Sequence, residues 1–298
     1  MTDGGGAPWP QLVVHIDRAA AEATEEGLFA AGALSVTFLD EEDRPVLEPA
    51  PGEVRLWARL SAVALFAQGS EPALIRRAVA SQLGDELAAS ADLSLVPDQA
   101  WERAWMDQFS PMRFGERLWI CPTHCDPPEA DAVNLRLDPG LAFGSGTHAT
   151  TALCLEWLDG AHLANTDVLD FGCGSGVLGI AALLLGAAKV AATDIDPQAL
   201  QATRENALLN GVSDRLRLAS ADELVNNKYD ILVANILYQP LQALKPTFCT
   251  LLKPNGCLVV SGLLAEQADA LVAHYADVIR LDELAEQDGW VRLSGQRI

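Results

Sequence analysis

The stretch Val168-Leu-Asp170-Phe-Gly172-Cys-Gly174-Ser-Gly176 decides how this chain folds. An apolar run ends in an acid, breaks into three alternating glycines and gives way to the helix-compatible residues 177–185. Glycine permits turns and close backbone approaches that a Cβ forbids, so strand, glycine turn and helix together read as a ligand-binding loop. Gly174-Ser-Gly176-Val-Leu-Gly179 also fits the dinucleotide pattern G-x-G-x-x-G, which alone is weak evidence. The neighbouring acids separate the two readings. Asp170, just ahead of the glycines, disfavours a pyrophosphate on the helix N-terminus and favours a ligand with a cationic amino group. Asp194, in Thr193-Asp194-Ile195-Asp196-Pro197, stands where a carboxylate accepts both hydroxyls of a ribose. Asp222, after the third strand, is placed for an adenine amino group. Asp196 before Pro197 reads as a helix cap.

Outward from this loop the chain alternates. Strand patterns at 168–170, 190–193, 216–218, 229–234 and 257–260 are interleaved with helix patterns at 177–185, 198–209 and 241–252. Such alternation predicts an α/β domain with a doubly wound, mostly parallel sheet covered on both faces. Residues 278–284 and 290–294, around the turn 286–289, predict an antiparallel final hairpin. Upstream, strands at 11–17, 34–39, 54–66 and 93–96 with helices at 18–31 and 72–84 give the β-α-β-β-α-β order of a ferredoxin-like α+β sandwich, with 40–53 as a polar turn. The expected division is a flexible leader (1–8), a ferredoxin-like module (9–96), a helical linker bearing Trp101, Trp105 and Met106 (97–110), and the ligand-binding domain (111–298). Short strands at 114–121 and 133–137 and a helix at 149–158 lead into the last.

Composition limits the partners. The chain has 298 residues, half of them apolar, and a mean hydropathy of +0.14, which suits a packed core and excludes wholesale disorder. Forty-one acids against 20 bases give a net charge of -21. The excess is spread along the chain: 18 acids and 7 bases lie in residues 1–110, 23 and 13 in the rest. Counterion release needs clustered Lys and Arg, so no direct nucleic-acid specificity and no membrane surface are expected, and a basic partner is more natural. The longest run without charged or polar side chains, residues 177–188, is too short to span a bilayer. The opening MTDGGGAPWP lacks the features of a secretory leader, so six reduced cysteines and a cytoplasmic location are expected. Cys121-Pro-Thr-His124-Cys125 has no second Cys/His pair at ligand spacing, and no metal is expected.

A ligand uniting ribose, adenine and an amino acid is S-adenosyl-L-methionine, and residues 170–176 resemble the first motif of class I methyltransferases, with Asp194 as the ribose acid. Asn235-Ile236-Leu-Tyr238 is similar to the Asn/Asp-Pro-Pro-Tyr motif of enzymes that methylate amide or exocyclic nitrogens, without its two prolines. Leu137-Asp-Pro-Gly140-Leu-Ala-Phe143-Gly144-Ser-Gly146-Thr147-His148-Ala-Thr-Thr151, taken with the loop, Asp194-Ile-Asp-Pro197 and Ala234-Asn-Ile-Leu237, resembles the ribosomal protein L-11 methyltransferase family. The resemblance implies a class I, Rossmann-like methyltransferase domain and a substrate-recognition role for the ferredoxin-like module. It further implies transfer of methyl groups to lysine ε-amines, and to the terminal α-amine, of the basic ribosomal protein L-11, free or on the large subunit. The cofactor site it implies comprises Phe143, Thr147, Asp170, Gly172, Gly174, Gly176, Asp194, Ile195, Asp222 and Asn235. The Asn235 side-chain oxygen and the Ile236 backbone carbonyl would receive the acceptor amine. His148 reads as a base or a locally bonded residue beside a helix start, and Tyr238 as a substrate contact or crevice filler. Alternatives open at this point are an N-methyltransferase for a glutamine amide or a nucleic-acid base, a non-catalytic cofactor-binding module on ribosomes, and a nicotinamide dehydrogenase.

Overall fold

The structure is a computed structural model that describes residues 7–41, 58–97, 109–138, 148–224 and 227–298. It divides into two compact units, residues 1–104 and 105–298. Most of the expected leader (1–8), of the polar turn (40–53) and of the helical linker with Trp101, Trp105 and Met106 lies outside the described residues, as do Phe143 and Thr147.

In the first unit, β1 (Trp9–Asp17) leads through a short 3-10 turn to α1 (Ala21–Ala30), followed by β2 (Ser35–Asp40), β3 (Arg59–Leu65), α2 (Pro72–Leu83), α3 (Asp85–Ser90) and β4 (Asp92–Val96). The strands pair in the order β2-β3-β1-β4, all antiparallel, which is the ferredoxin-like arrangement. Strand alternation builds its core: Leu12, Val14 and Ile16 join Leu60, Ala62 and Ala64 on one face and meet Leu28 and Val79 from the helices. The extra helix α3 follows a break at Gly84, whose φ of +94° ends α2.

The second unit opens with β5 (Met112–Phe114) and β6 (Leu118–Cys121), a hairpin joined in parallel by β7 (Val133–Arg136). The single strand expected at 114–121 is thus two. Gly115 turns the chain at φ +68°, and where its Cβ would stand lies the Asp159 carboxylate, only 2.4 Å away. Asp159 belongs to α4 (Ala149–Gly160), is buried, and accepts hydrogen bonds from the backbone of Glu116 (2.7 Å) and Arg117 (3.3 Å). It stitches the hairpin turn to the helix.

The main sheet then forms from β8 (Asp167–Phe171), α5 (Val177–Leu184), β9 (Lys189–Thr193), α6 (Pro197–Leu209), β10 (Leu216–Leu218), α7 (Ala221–Leu224) and β11 (Tyr229–Asn235). It continues through α8 (Tyr238–Ala243), α9 (Lys245–Leu251), β12 (Leu252–Leu264), α10 (Ala265–Tyr275), β13 (Ile279–Gln287) and β14 (Trp290–Arg297). Its order is β10-β9-β8-β11-β12-β14-β13, with β14 antiparallel to both neighbours, so the expected doubly wound sheet and final hairpin are present. Val168, Ile231, Val233 and Val259 pack with α4 and α5 on one face, and Leu169, Leu232, Leu258 and Val260 pack with α8 to α10 on the other. The helix expected at 241–252 is split at Leu244, where Pro246 in the first turn of α9 lacks the N–H that a continuous helix would use. The expected helices do not include α10, although its buried residues Ala268, Leu271 and Tyr275 recur at helical spacing. Among the described residues, no helix is long and apolar enough to cross a membrane, and no group of His, Cys, Asp and Glu is arranged to hold a metal.

Replacing Asp159 by alanine leaves two partly buried N–H groups without their acceptor and Arg117 without its carboxylate partner (3.4 Å). Chemical denaturation of Asp159→Ala is therefore expected to give an unfolding free energy lower by about 1–3 kcal/mol.

Candidate functional site

Parallel strands bring their C-terminal ends to one edge, and a change of direction in strand order opens a crevice there. In this sheet β8, β9 and β11 run side by side, with Asp170 level with Ala192 on one neighbour and Val233 on the other. Gly172, Asp194 and Asn235 consequently emerge at the same edge. The loop after β8 is bare backbone with left-handed glycines, φ being +78° at Gly172, +55° at Gly174 and +79° at Gly176. Backbone twisted this way has no ladder or helix to satisfy it, and its donors are taken up locally. Thr193 O accepts from Gly172 N (2.8 Å) and Cys173 N (3.0 Å), and Asp194 Oδ2 accepts from Gly174 N (2.9 Å).

Two residues of α6 complete this cradle without any sequence signal of their own. Thr203, fully buried, donates its hydroxyl to Gly174 O (3.0 Å), and Asn206 Nδ2 donates to Ser175 O (2.9 Å). Their three-residue spacing on one helix face becomes informative only once the loop is known to lie against that face. A Cβ at Gly176 would stand 2.7 Å from the Thr203 methyl, so this glycine serves packing as well as turning. Gly179, third in the dinucleotide-like pattern, is likewise a packing position, because a Cβ there would stand 3.0 Å from Val190 and 3.1 Å from Asp170.

Asp170 is placed differently from the expectation that it faces a ligand amine. Its side chain is 1% exposed, and Oδ2 accepts from Gly179 N at 2.8 Å, inside the first turns of α5. Burial pushes its carboxyl up to about 7, the Asp194 charge adds to this, and the Gly179 N–H opposes it. Asp170 therefore anchors the loop to its helix from below. Asp194 is only partly buried; besides Gly174 N it accepts from Asp196 N (3.0 Å), and each carboxylate oxygen keeps a second lone pair. Ile195 beside it is fully exposed, at 102% of the reference area, so an apolar side chain stands uncovered next to a hydrogen-bonding acid. That pairing fits the base and ribose of an adenosyl group. Asp222 is exposed on α7, which follows β10 at the same edge, and Asp196 caps α6 by accepting from Gln198 N (2.8 Å).

On the far side of the crevice, Asn235 ends β11, and its Nδ2 donates to Thr151 Oγ1 (3.2 Å) in the first turn of α4. With the amide nitrogen so engaged, Oδ1 is the atom left to accept from a ligand. Ile236 N donates to Ser261 O (3.2 Å), continuing the β11–β12 pairing one residue past the strand. Thr151 carries no sequence signal for this contact, since 84 residues separate it from Asn235. His148 caps α4 by accepting from Thr150 N (3.3 Å) and packs edge-on against Trp290, ring centroids 4.8 Å apart. Of its two readings, the local one describes its contacts. Tyr238, half-buried, begins α8.

The family profile described as ribosomal protein L11 methyltransferase matches residues 8–298. The chain belongs to the ribosomal protein L11 methyltransferase family. Among relatives bearing that name, the protein from Methylococcus capsulatus is 51% identical over 97% of this chain and 99% of its own length. A Pseudomonas aeruginosa relative is 51% identical with the same coverage. A crystal structure titled as a ribosomal protein L11 methylase from Lactobacillus delbrueckii subsp. bulgaricus is 34% identical, covers 63% of this chain and 99% of its own, and superposes with a TM-score of 0.59. The family-level expectation from the sequence motifs and the class I methyltransferase fold are thus both met.

The buried carboxyl of Asp170 gives a sign to the pH dependence of stability in this family member. A native group at about 7 against an ordinary 3.8 holds its proton while the unfolded chain has released it, so stability falls as pH rises from about 4 to about 7. Asp170→Asn keeps an acceptor for Gly179 N and removes the titration. Thermal or urea unfolding from pH 4 to 8 is expected to show the wild type losing roughly 2–4 kcal/mol relative to this variant, a change of 1.36 kcal/mol accompanying each tenfold shift in proton affinity.

Proposed function

We propose that the crevice between the glycine loop and Asn235 binds S-adenosyl-L-methionine and delivers its methyl group to amines of ribosomal protein L11. The single observation carrying this reading is the neutral, pre-oriented acceptor Asn235 at the same sheet edge as the acid-tethered glycine loop. Family membership supports the substrate, and the uncovered Ile195 beside Asp194 supports an adenosyl group as cofactor. When bound, the sulfonium cofactor supplies an electrophilic methyl group.

The chain's own residues do the rest. Asp194 and the backbone of Gly172, Gly174 and Gly176 form the ribose and amino-acid side of the pocket and Ile195 and Asp222 the adenine side, and the family resemblance adds Phe143 and Thr147 as cofactor contacts. Asp170 contributes from beneath the loop by anchoring it to α5 through Gly179 N rather than as a direct partner. The acceptor nitrogen must arrive with a free lone pair. At pH 7 this costs roughly 4.6 kcal/mol for a lysine near 10.4 and only about 1 kcal/mol for an α-amine near 7.8. Burial beside a cation lowers both costs, so no dedicated base is required. Asn235 Oδ1 and the Ile236 carbonyl accept the remaining N–H bonds and aim the lone pair, a positioning effect. The missing prolines of the amide- and base-methylating motif fit a flexible aliphatic amine better than a planar nitrogen.

Substrate recognition falls to the ferredoxin-like unit, and the net charge of -21 favours encounter with a basic protein. L11 is accepted free or on the large subunit in the cytoplasm, through protein contacts and without a nucleic-acid site of its own.

In single-turnover reactions with purified L11 and labelled cofactor, Asn235→Ala is expected to slow methyl transfer about 100-fold while calorimetric cofactor affinity stays within about threefold. An unchanged chemical rate would remove Asn235 from the mechanism.

A further inference from the structure

The residue bearing the acceptor carbonyl is held from two sides by glycines far apart in sequence. On one side is Gly262 in β12. Its φ is +95°, and the pairing of β12 with β14 shifts register between Ser261 and Leu263, so the strand bulges at this residue. A Cβ built on Gly262 would stand 2.2 Å from Ile236 O, 2.7 Å from its carbonyl carbon and 3.1 Å from its nitrogen. All three are backbone atoms, and no rotamer change makes room. On the other side is Gly172 in the cofactor loop, where a Cβ would stand 2.4 Å from Ile236 Cγ2 and 3.9 Å from its Cβ. Gly172 is itself tied to Thr193 O at 2.8 Å, and Ile236 N to Ser261 O at 3.2 Å, so neither side yields freely.

We infer that Gly262 is a positioning residue for methyl transfer: its missing side chain seats the Ile236 peptide against the cofactor loop, fixing the acceptor carbonyl relative to the bound methyl donor. The inference rests on the reading of Ile236 O as an amine acceptor. Bulges re-aim backbone beside functional sites and give up ladder bonds to do so. Here the bulge leaves a hollow occupied by one carbonyl group. Any side chain at 262 must displace that carbonyl by about 1 Å to restore an ordinary contact, in a residue whose side chain already lies against the cofactor loop. Misplacement on this scale costs about 100-fold in rate when the displaced group aligns a reactant. Gly172 forms the opposite jaw, so the cofactor loop and the amine site share one residue between them.

The test is a set of variants assayed by single-turnover methylation of L11, cofactor calorimetry and thermal unfolding. Gly262→Ala is expected to lose about 100-fold in chemical rate with cofactor affinity within threefold. Ile236→Ala removes the Cγ2 that a side chain at 172 would strike. It is expected to restore at least fivefold to Gly172→Ala and nothing to Gly262→Ala, whose conflict is with backbone. A purely structural role for Gly262 would instead lower thermal stability or cofactor affinity in step with the rate. A wild-type rate for Gly262→Ala, or its rescue by Ile236→Ala, overturns the proposal. Should Gly262→Ala not fold, Ile236→Ala alone decides: opening the Gly172 jaw is expected to slow chemistry at least threefold at unchanged cofactor affinity, and a wild-type rate overturns the clamp. Asn235→Ala separates the two levels. If it retains full rate, the acceptor-site reading itself falls; if it loses rate while Gly262→Ala does not, only the clamp falls.

Discussion

One carbonyl and one carboxylate hold the glycine loop, and the crevice exists only while they do. Thr193 O takes two loop amides and Asp194 Oδ2 a third, so the end of β9 serves as the template on which residues 172–174 are shaped. Left-handed backbone gains nothing from regular ladders, and a buried or half-buried amide left unbonded costs on the order of 1–3 kcal/mol. The parallel register of β8 and β9 is therefore a precondition of the loop: a slip of one residue would carry Thr193 O away from the amides it accepts. Everything else at this edge is arranged around that template, including the burial of Asp170 beneath it and the support from Thr203 and Asn206 behind it.

Much of this was legible in the residues because the decisive contacts are local. Strand, glycine turn and helix follow one another within 168–185, the acid at 194 ends the next strand, and Asp196 before Pro197 caps α6 as its sequence position implies. The alternation of apolar segments likewise carries the parallel sheet, and Asp288 and Gly289, both at positive φ, make the tight turn of the final hairpin. What the pattern hides is contact across long separations. The hairpin at 112–121 looks continuous because Gly115 turns to accommodate Asp159, 44 positions on. Thr151, Thr203 and Asn206 look like ordinary helix residues until the sheet places them against Asn235 and the loop. Asp170 has the right identity for a charged ligand contact, yet identity does not reveal that Gly179 N lies 2.8 Å from its oxygen.

The two ends of the crevice also divide the electrostatic labour. Acids stand on the β8 and β9 side, where a cofactor with a cationic amine and sulfonium would lie, and the β11 side presents a neutral amide fixed by Thr151. In the proposed reaction that division matters because the two ligands need opposite treatment. A permanent cation is stabilised by nearby carboxylates, whereas an amine must shed its proton before it can react. A carboxylate at 235 would favour the ammonium form, raising the pKa of the amine by about 1–3 units at contact distance and adding roughly 1.4–4 kcal/mol to the cost of the reactive state. An amide offers the same acceptor oxygen without that penalty. The clamp on Ile236 follows the same logic, since a backbone carbonyl is the other uncharged acceptor available, and it can be aimed only by controlling the backbone around it. The acidity of the chain as a whole can therefore serve encounter with a basic protein, provided that the last few ångströms before the methyl group are kept free of negative charge.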